Sequence, residues 1–260
     1  MRTSLVNGIA FIVAVSLVSA ACSSADGHTN NSSPNGAGTT PVAANGVATG
    51  ASNGVAAPGA AGTATDSLAK VADASRILGS PSAKLWVIKV NDFQCPYCKQ
   101  WHDAAYPMLI KDYVKTGKIR LAYVNFPLSM HQNAHAAATA AMCAGAQSKF
   151  WPMHDTLFAS QGKWETEKNP STTFDSLAKS IGVDVASYHS CLSSPAIASL
   201  IAGDQDRAQR GGVSSTPSFW VGSKMIEGAV PAAEMRAAID QALAAPATAP
   251  TTPTPTTGAQ

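Results

Sequence analysis

Five stretches of this chain carry hydrophobic patterns that predict elements. Leu85-Trp86-Val87-Ile88-Lys89-Val90 is a short β-prone run with few charges, the pattern of a buried strand. After it, Trp101, Ala104, Ala105, Met108 and Leu109 recur at helical intervals. Pro96 falls at the first position of that helix, where its missing N–H costs nothing. An alanine-rich helix is predicted from Ala134 to Ala146. Ser218-Phe219-Trp220-Val221 reads as a strand headed by Pro217, which removes a donor there without wasting a ladder bond. Pro231 opens a last helix to Leu243, with Met235, Ile239 and Leu243 on one face.

Elsewhere the pattern fails. Sixteen of the seventeen Phe, Trp and Tyr residues lie within 67–245, and Phe11 is the exception. Segment 23–66 has no aromatic and only Asp26 and Asp66 as charges, while 246–260 has four prolines and no charge. A core needs large apolar side chains, so 67–245 is the one globular domain. The 44 residues of 23–66 read as a flexible tether, with a reach of roughly 35–40 Å as a Gly-rich coil. The Pro/Thr tail reads as an extended, polyproline-biased end.

The first 21 residues read as an export signal. Arg2 gives a positive start, Gly8 to Val18 is a mostly apolar run of eleven residues, and Ser19-Ala20-Ala21 offers small residues for cleavage. Cys22, directly after them, resembles the lipid-bearing cysteine of bacterial lipoproteins, although Ser19 stands where that motif favours an aliphatic residue. A lone exposed thiol is a liability in an oxidising compartment, which favours a lipid anchor at Cys22 over simple secretion. The expected location is periplasmic or otherwise extracytoplasmic, on a membrane.

Charge adds an exclusion. Domain 67–245 has 17 Lys and Arg against 14 Asp and Glu, a formal +3 with no dense basic stripe, so a nucleic-acid partner has no electrostatic support. No Gly-rich phosphate loop, Ser–His–Asp signature or metal motif of the usual spacing appears, and no cofactor is expected.

Setting Cys22 aside leaves Cys95, Cys98, Cys143 and Cys191, an even count that suits disulfide pairing in an exported chain. Cys95-Pro96-Tyr97-Cys98 falls at a strand-to-helix junction. There Cys95 faces unpaired N–H groups and the positive end of the helix dipole, which stabilise a thiolate. Cys98 lies one turn on along the same face and can close a ring with it. An exposed, acidic thiol backed by a second one suits thiol–disulfide exchange. The same spacing serves as half of a zinc site, which would need further ligands such as His102, His131 or His135. Pro96 at the helix start favours the redox use. Asp92, at the strand end, is read as a terminator or as a residue that tunes Cys95. Trp151, Phe158, Trp164 and Phe174 are read as core.

Asp92-Phe93-Gln94-Cys95-Pro96-Tyr97-Cys98 resembles the active site of DsbA-like thiol–disulfide oxidoreductases. So do Asn125-Phe126-Pro127-Leu128, Cys143 with Lys149-Phe150-Trp151 and His154-Asp155, Tyr188 with Cys191-Leu192, and Gly212 to Phe219. The resemblance covers nearly all of 76–244. It implies an α/β, thioredoxin-like mixed sheet with an inserted α-helical domain: a β-α-β unit at 76–128, a helical insert at 129–210, then two strands and a closing helix at 211–244. It also implies a cis Thr216–Pro217 bond against Cys95, and a structural disulfide between Cys143 and Cys191. A bridge closing so long a loop is worth about 4 kcal/mol in the chain-entropy model. Two separate buried thiols are the alternative.

The implied activity is exchange of the Cys95–Cys98 disulfide with exported cysteine-containing proteins. Their extended segments would lie along Pro96, Tyr97, Thr216 and Pro217, and a membrane redox partner would reset the pair. A dithiol oxidase is the first reading. A reductase or isomerase of the same fold, or a metal-binding scaffold lipoprotein without redox turnover, are the others. Isomerases of this type carry a dimerisation domain, which 23–66 cannot supply.

Overall fold

The computed structural model describes residues 60–245; Cys22, the export signal, most of the tether and the Pro/Thr tail lie outside them. No helix among the described residues is long and apolar enough to cross a membrane. Helix α1 (Ala60–Ser75) begins seven residues before the boundary drawn at 67. The distribution of aromatics locates a core, but an alanine-rich segment makes helix without them.

Five strands form one sheet: β1 (Ile77–Leu78), β2 (Leu85–Asn91), β3 (Ile119–Asn125), β4 (Ser218–Val221) and β5 (Lys224–Glu227), in the order β1-β3-β2-β4-β5. Strands β2 and β3 are parallel and every other pairing is antiparallel, so the sheet is mixed. Central β2 pairs Lys89 with Phe219 and Val90 with Ser218, which carries the residues before Ser218 alongside the end of β2.

Between β2 and β3 the chain is helical but broken. Helix α2 (Pro96–Ala104) stops at Ala105, α3 (Tyr106–Leu109) follows, and a π-helical turn covers Ile110–Val114. Pro107 explains the break, since its ring cannot sit in the interior of a continuous helix. The predicted apolar stripe is corrected accordingly: Ala104 is exposed, while Tyr106 is buried with Trp101 and Leu109.

The insert comprises α4 (Ala134–Gly145), α5 (Phe150–Ala159), α6 (Gln161–Trp164), α7 (Ser171–Ser180), α8 (Val185–Leu192) and α9 (Pro195–Arg210). Ten of the twelve residues of α4 are Ala, Met, Cys or Gly, and their small volume lets α1, α5, α8 and α9 approach it. Trp151, Phe158, Trp164 and Phe174 are all buried. Cys143 on α4 and Cys191 on α8 are joined by a disulfide, with their Cα atoms 5.6 Å apart. A buried ion pair ties the insert to the sheet. Asp204 on α9 meets Arg76 and accepts from the Asn125 backbone N–H at 3.0 Å and its side-chain amide at 2.9 Å. Helix α10 (Ala232–Ala244) closes the domain with Met235 and Ile239 buried. Leu243, predicted on the same face, is 40% exposed because it lies in the last turn of the helix.

Candidate active site

The Cys95-Pro96-Tyr97-Cys98 segment opens α2. Cys95 is the N-cap, in extended conformation, and Pro96 is the first helical residue. Two side chains brace the loop that delivers them. Asp92 is fully buried. One of its oxygens accepts the Gln94 N–H at 2.7 Å, and the other accepts the Leu128 N–H at 2.9 Å and faces His131 Nδ1 at 2.7 Å. It therefore does more than end a strand: it fixes the start of the motif to the loop after β3. Gln161, from the short helix α6, donates to the carbonyls of Phe93 and Cys95 at 2.7 and 3.2 Å.

Gln94 extends the frame into the insert. Its amide nitrogen donates to Glu165 O and its amide oxygen accepts the Asn133 N–H, both at 2.7 Å. Asn133 Nδ2 in turn donates to the carbonyls of Trp164 and Glu167. The polar side chains of the site thus serve backbone groups of loops, where strand and helix ladders supply no partner.

The two thiols are free and unequal. The Cys95 thiol drops to about 6. A hydrogen bond from Cys98 is the largest cause; burial opposes it, and Thr216 and the Cys98 and Tyr97 backbone N–H groups at the helix start add to it. Burial raises the Cys98 thiol well above its ordinary value, reinforced by Cys95 beside it. An acidic thiol in front of a protonated one is the arrangement thiol–disulfide exchange requires.

Cys95 is not the exposed thiol predicted. Only 3% of it is accessible, because the loop before β4 covers it. Its Sγ donates to Thr216 O at 3.4 Å, and the Thr216–Pro217 bond is cis. Thr216 and Pro217 are themselves buried, whereas Pro96 is exposed and Tyr97 is 63% exposed. A sulfur arriving from outside meets Pro96 and Tyr97 at the surface and has to reach inward to Cys95.

His131 and His102 each face a carboxylate. His131 is held by Asp92, and His102 Nε2 lies 3.3 Å from Asp155 Oδ1. Among the described residues, His102, His154 and Asp155 are the one group of three or more His, Cys, Asp and Glu with one ligand atom each within 4.8 Å of the others, and neither thiol belongs to it. Its contacts are hydrogen bonds from imidazole nitrogens to one carboxylate.

Sequence reasoning missed Gln161 and Asn133, and the bracing role of Gln94 within the motif, because their partners come from distant segments. It also passed over Lys89, a fully buried cation in the central strand. A signal was present there, since Lys89 stands two residues after Val87, on the same face of a run otherwise apolar.

The family model described as Thioredoxin matches residues 72–241. A protein of Bacillus anthracis named "Probable disulfide bond formation protein D" is 32% identical over 154 residues, 57% of this chain and 70% of that protein. The "Na(+)/H(+) antiporter NhaA 1" of Salinispora arenicola is 34% identical over 173 residues, 66% of this chain but only 25% of its own length. The antiporter name thus describes a protein most of which has no counterpart here. Among solved structures, oxidised BdbD from Bacillus subtilis superposes with a TM-score of 0.59 at 26% identity, covering 65% of this chain and 92% of that one. This chain belongs to the thioredoxin family, among the DsbA-like disulfide bond formation proteins.

Proposed function

We propose that this thiol–disulfide oxidoreductase works outside the cytoplasm as a dithiol oxidase, passing the Cys95–Cys98 disulfide to exported proteins that contain cysteines. The observation that carries the direction is the inequality of the two thiols. A Cys95 thiol near 6, against an ordinary 9.0, favours the reduced form at pH 7 by about tenfold through its ionisation alone, or roughly 30 mV toward oxidising potential. A protein whose reduced form is stabilised gives its disulfide away.

In the forward reaction a substrate thiolate attacks Cys95 Sγ, the Cys95–Cys98 bond breaks, and its electron pair leaves on Cys98. A second substrate thiolate then attacks the substrate sulfur of the mixed disulfide and expels Cys95. Cys95 is the better leaving group because its thiolate is stabilised. Pro96 and Tyr97 offer the exposed surface beside the entry, and Thr216–Pro217 the backbone next to Cys95. A membrane redox partner resets the pair. Export by residues 1–21 and a lipid on Cys22 hold the domain near that partner, with 23–59 as spacer.

A glutathione redox titration of the full chain tests the direction. The expected midpoint lies on the oxidising side of thioredoxin's value of about −270 mV. A midpoint at or below about −270 mV would make it a reductase. Anchoring is tested separately: Cys22→Ser should move the protein from the membrane fraction to the soluble one.

A further inference from the structure

Three loops meet at the end of the sheet away from Cys95. Residues 79–84 lead into β2, 115–118 lead into β3, and Gly222 and Ser223 join β4 to β5. Close contacts hold them side by side. The Gly222 N–H donates to Trp86 O at 3.0 Å, Gly79 packs against Ile119 O, and Gly117 faces Ser80. Each loop passes to its strand through a lysine: Lys84, Lys118 and Lys224. Lys115 stands in the second loop, and Arg120 two residues beyond Lys118. The four lysines are exposed and Arg120 partly so. None of the five is in an ion pair among the described residues, and Asp112, three residues before Lys115, is held by Arg236 at 2.6 Å.

Beside these charges one face of the sheet is apolar and open. Partners across a ladder share a face, so Ile88, Trp220 and Met225 lie in one row, with Trp86 and Arg120 in the next. Ala208 of α9 and Val213 cover the far end of this face, against Val90 and Phe126. Toward the lysines that cover stops: Trp86, Ile88 and Trp220 are partly exposed, and Met225 is 36% exposed. Trp86 lies under the Arg120 guanidinium, whose carbon is 4.3 Å from its ring centre.

We propose that this pole docks the domain on an anionic phospholipid surface, with the five cations at the headgroup phosphates and Trp86, Trp220 and Met225 at the boundary beneath them. The inference builds on the reading of a lipid-anchored, exported protein, although the contact itself needs no anchor. A bilayer surface is charged outside and apolar underneath, and the pole offers a match for both layers. Lysine stems lie along apolar surface while their ammonium groups stay at the phosphates. An indole, with its apolar body and single N–H, suits the same boundary. A nucleic acid would match the cations but leave Ile88, Trp220 and Met225 without a partner. A basic patch of this kind holds a membrane reversibly, and beside one acyl chain it is the second signal that stable anchoring requires.

Strand β2 sets the orientation. It leads from Lys84 to Asn91, and Cys95 follows beyond that end. The length of a seven-residue strand, roughly 23 Å, therefore separates the pole from the thiols. With the pole on lipid, Cys95, Pro96 and Tyr97 face away from the membrane, toward proteins arriving from the exported side. A lipid on Cys22 limits only how far the domain strays, whereas the pole selects which way its thiols point.

The test uses residues 22–260 with Cys22→Ser, so that neither export signal nor lipid contributes, and vesicles of phosphatidylcholine with or without phosphatidylglycerol. At about 0.1 M salt, where charges act over about 10 Å, the protein should sediment with the anionic vesicles alone, and about 1 M salt should release it. Lys84→Gln, Lys118→Gln and Lys224→Gln together should lower partitioning about 100-fold, at about fivefold per cation. The same change at Lys70, Lys163 and Lys179, exposed lysines on α1, α6 and α7, alters net charge equally and should leave partitioning within about threefold. Lipids brominated on their acyl chains should quench indole emission, and less so in Trp86→Phe with Trp220→Phe. Alkylation of Cys95 should be as fast on vesicles as in solution. Equal losses from the two lysine sets, no sedimentation with anionic vesicles, or protection of Cys95 would each overturn the pole. If the pole fails while Cys22→Ser still frees the full chain from salt-washed membranes, the anchor stands without it.

Discussion

Gln161 donates its single side-chain amide to two carbonyls of the redox loop, those of Phe93 and Cys95. The insert therefore supports the loop by polar contact as well as by packing. In Gln161→Leu both carbonyls lose this donor at a site only 2% exposed. The expected loss is about 1–3 kcal/mol in denaturant unfolding, the penalty for a buried polar group left without a partner. Unchanged stability would show that the loop holds itself.

The hydroxyl of Thr216 is buried without a hydrogen-bond partner, yet the same residue lowers the Cys95 thiol. Once ionised, the Cys95 sulfur would be an acceptor for it. Thr216→Val keeps the shape and removes the donor. The midpoint pH of Cys95 alkylation should rise above 6, with the thiolate about tenfold scarcer for a loss of about 1.4 kcal/mol, within the range for hydrogen bonds to charged groups. The pair should also become less oxidising. An unmoved alkylation profile would assign the effect to Cys98 and the helix start without Thr216.

The acidic Cys95 thiol couples redox state to stability through pH. Its folded value near 6 lies below the ordinary 9.0, so the folded reduced form binds fewer protons than the unfolded one between these limits. The contribution is complete above pH 9 and is lost as pH falls through 6. Reduced protein should therefore gain on oxidised protein as pH rises from 6 to 9, by up to about 1.4 kcal/mol per pH unit. Parallel urea titrations of both forms measure this, and a gap independent of pH would contradict it.

Removing the structural bridge tests the insert. Cys143→Ala with Cys191→Ala opens a loop of 48 residues, and the expected loss is about 4 kcal/mol or somewhat less. Both sites are fully buried and alanine leaves little space behind, so most of the loss belongs to the unfolded chain. A loss below about 1 kcal/mol would mean that packing on α4 suffices.

Short apolar runs located β2 and β4, alanine richness located α4, and the helical spacing of Met235 and Ile239 located α10. Helical spacing also joined α2 to α3, because Pro107 breaks the backbone without disturbing the apolar spacing around it. The chemistry divides in the same way. Cys95 and Cys98 were readable because their partner is three residues away. Gln161, Asn133 and Lys89 act on groups 31 to 68 residues distant, and no local pattern marks such pairs. Asp92 was seen but undervalued, since its role depends on Leu128 and His131 arriving beside it.

The cover over Cys95 has a consequence for the birth of the molecule. Thr216 lies 121 residues downstream of the thiol it shields. In a chain that emerges amino end first, both reactive thiols and then Cys143 are outside before Cys191 or that cover exists. In the export proposed above, three of the four domain cysteines would thus meet an oxidising environment in the absence of the one native mate still to come. For the length of that interval the chain's own cysteines are open to wrong pairing, and their order makes its maturation a question of timing.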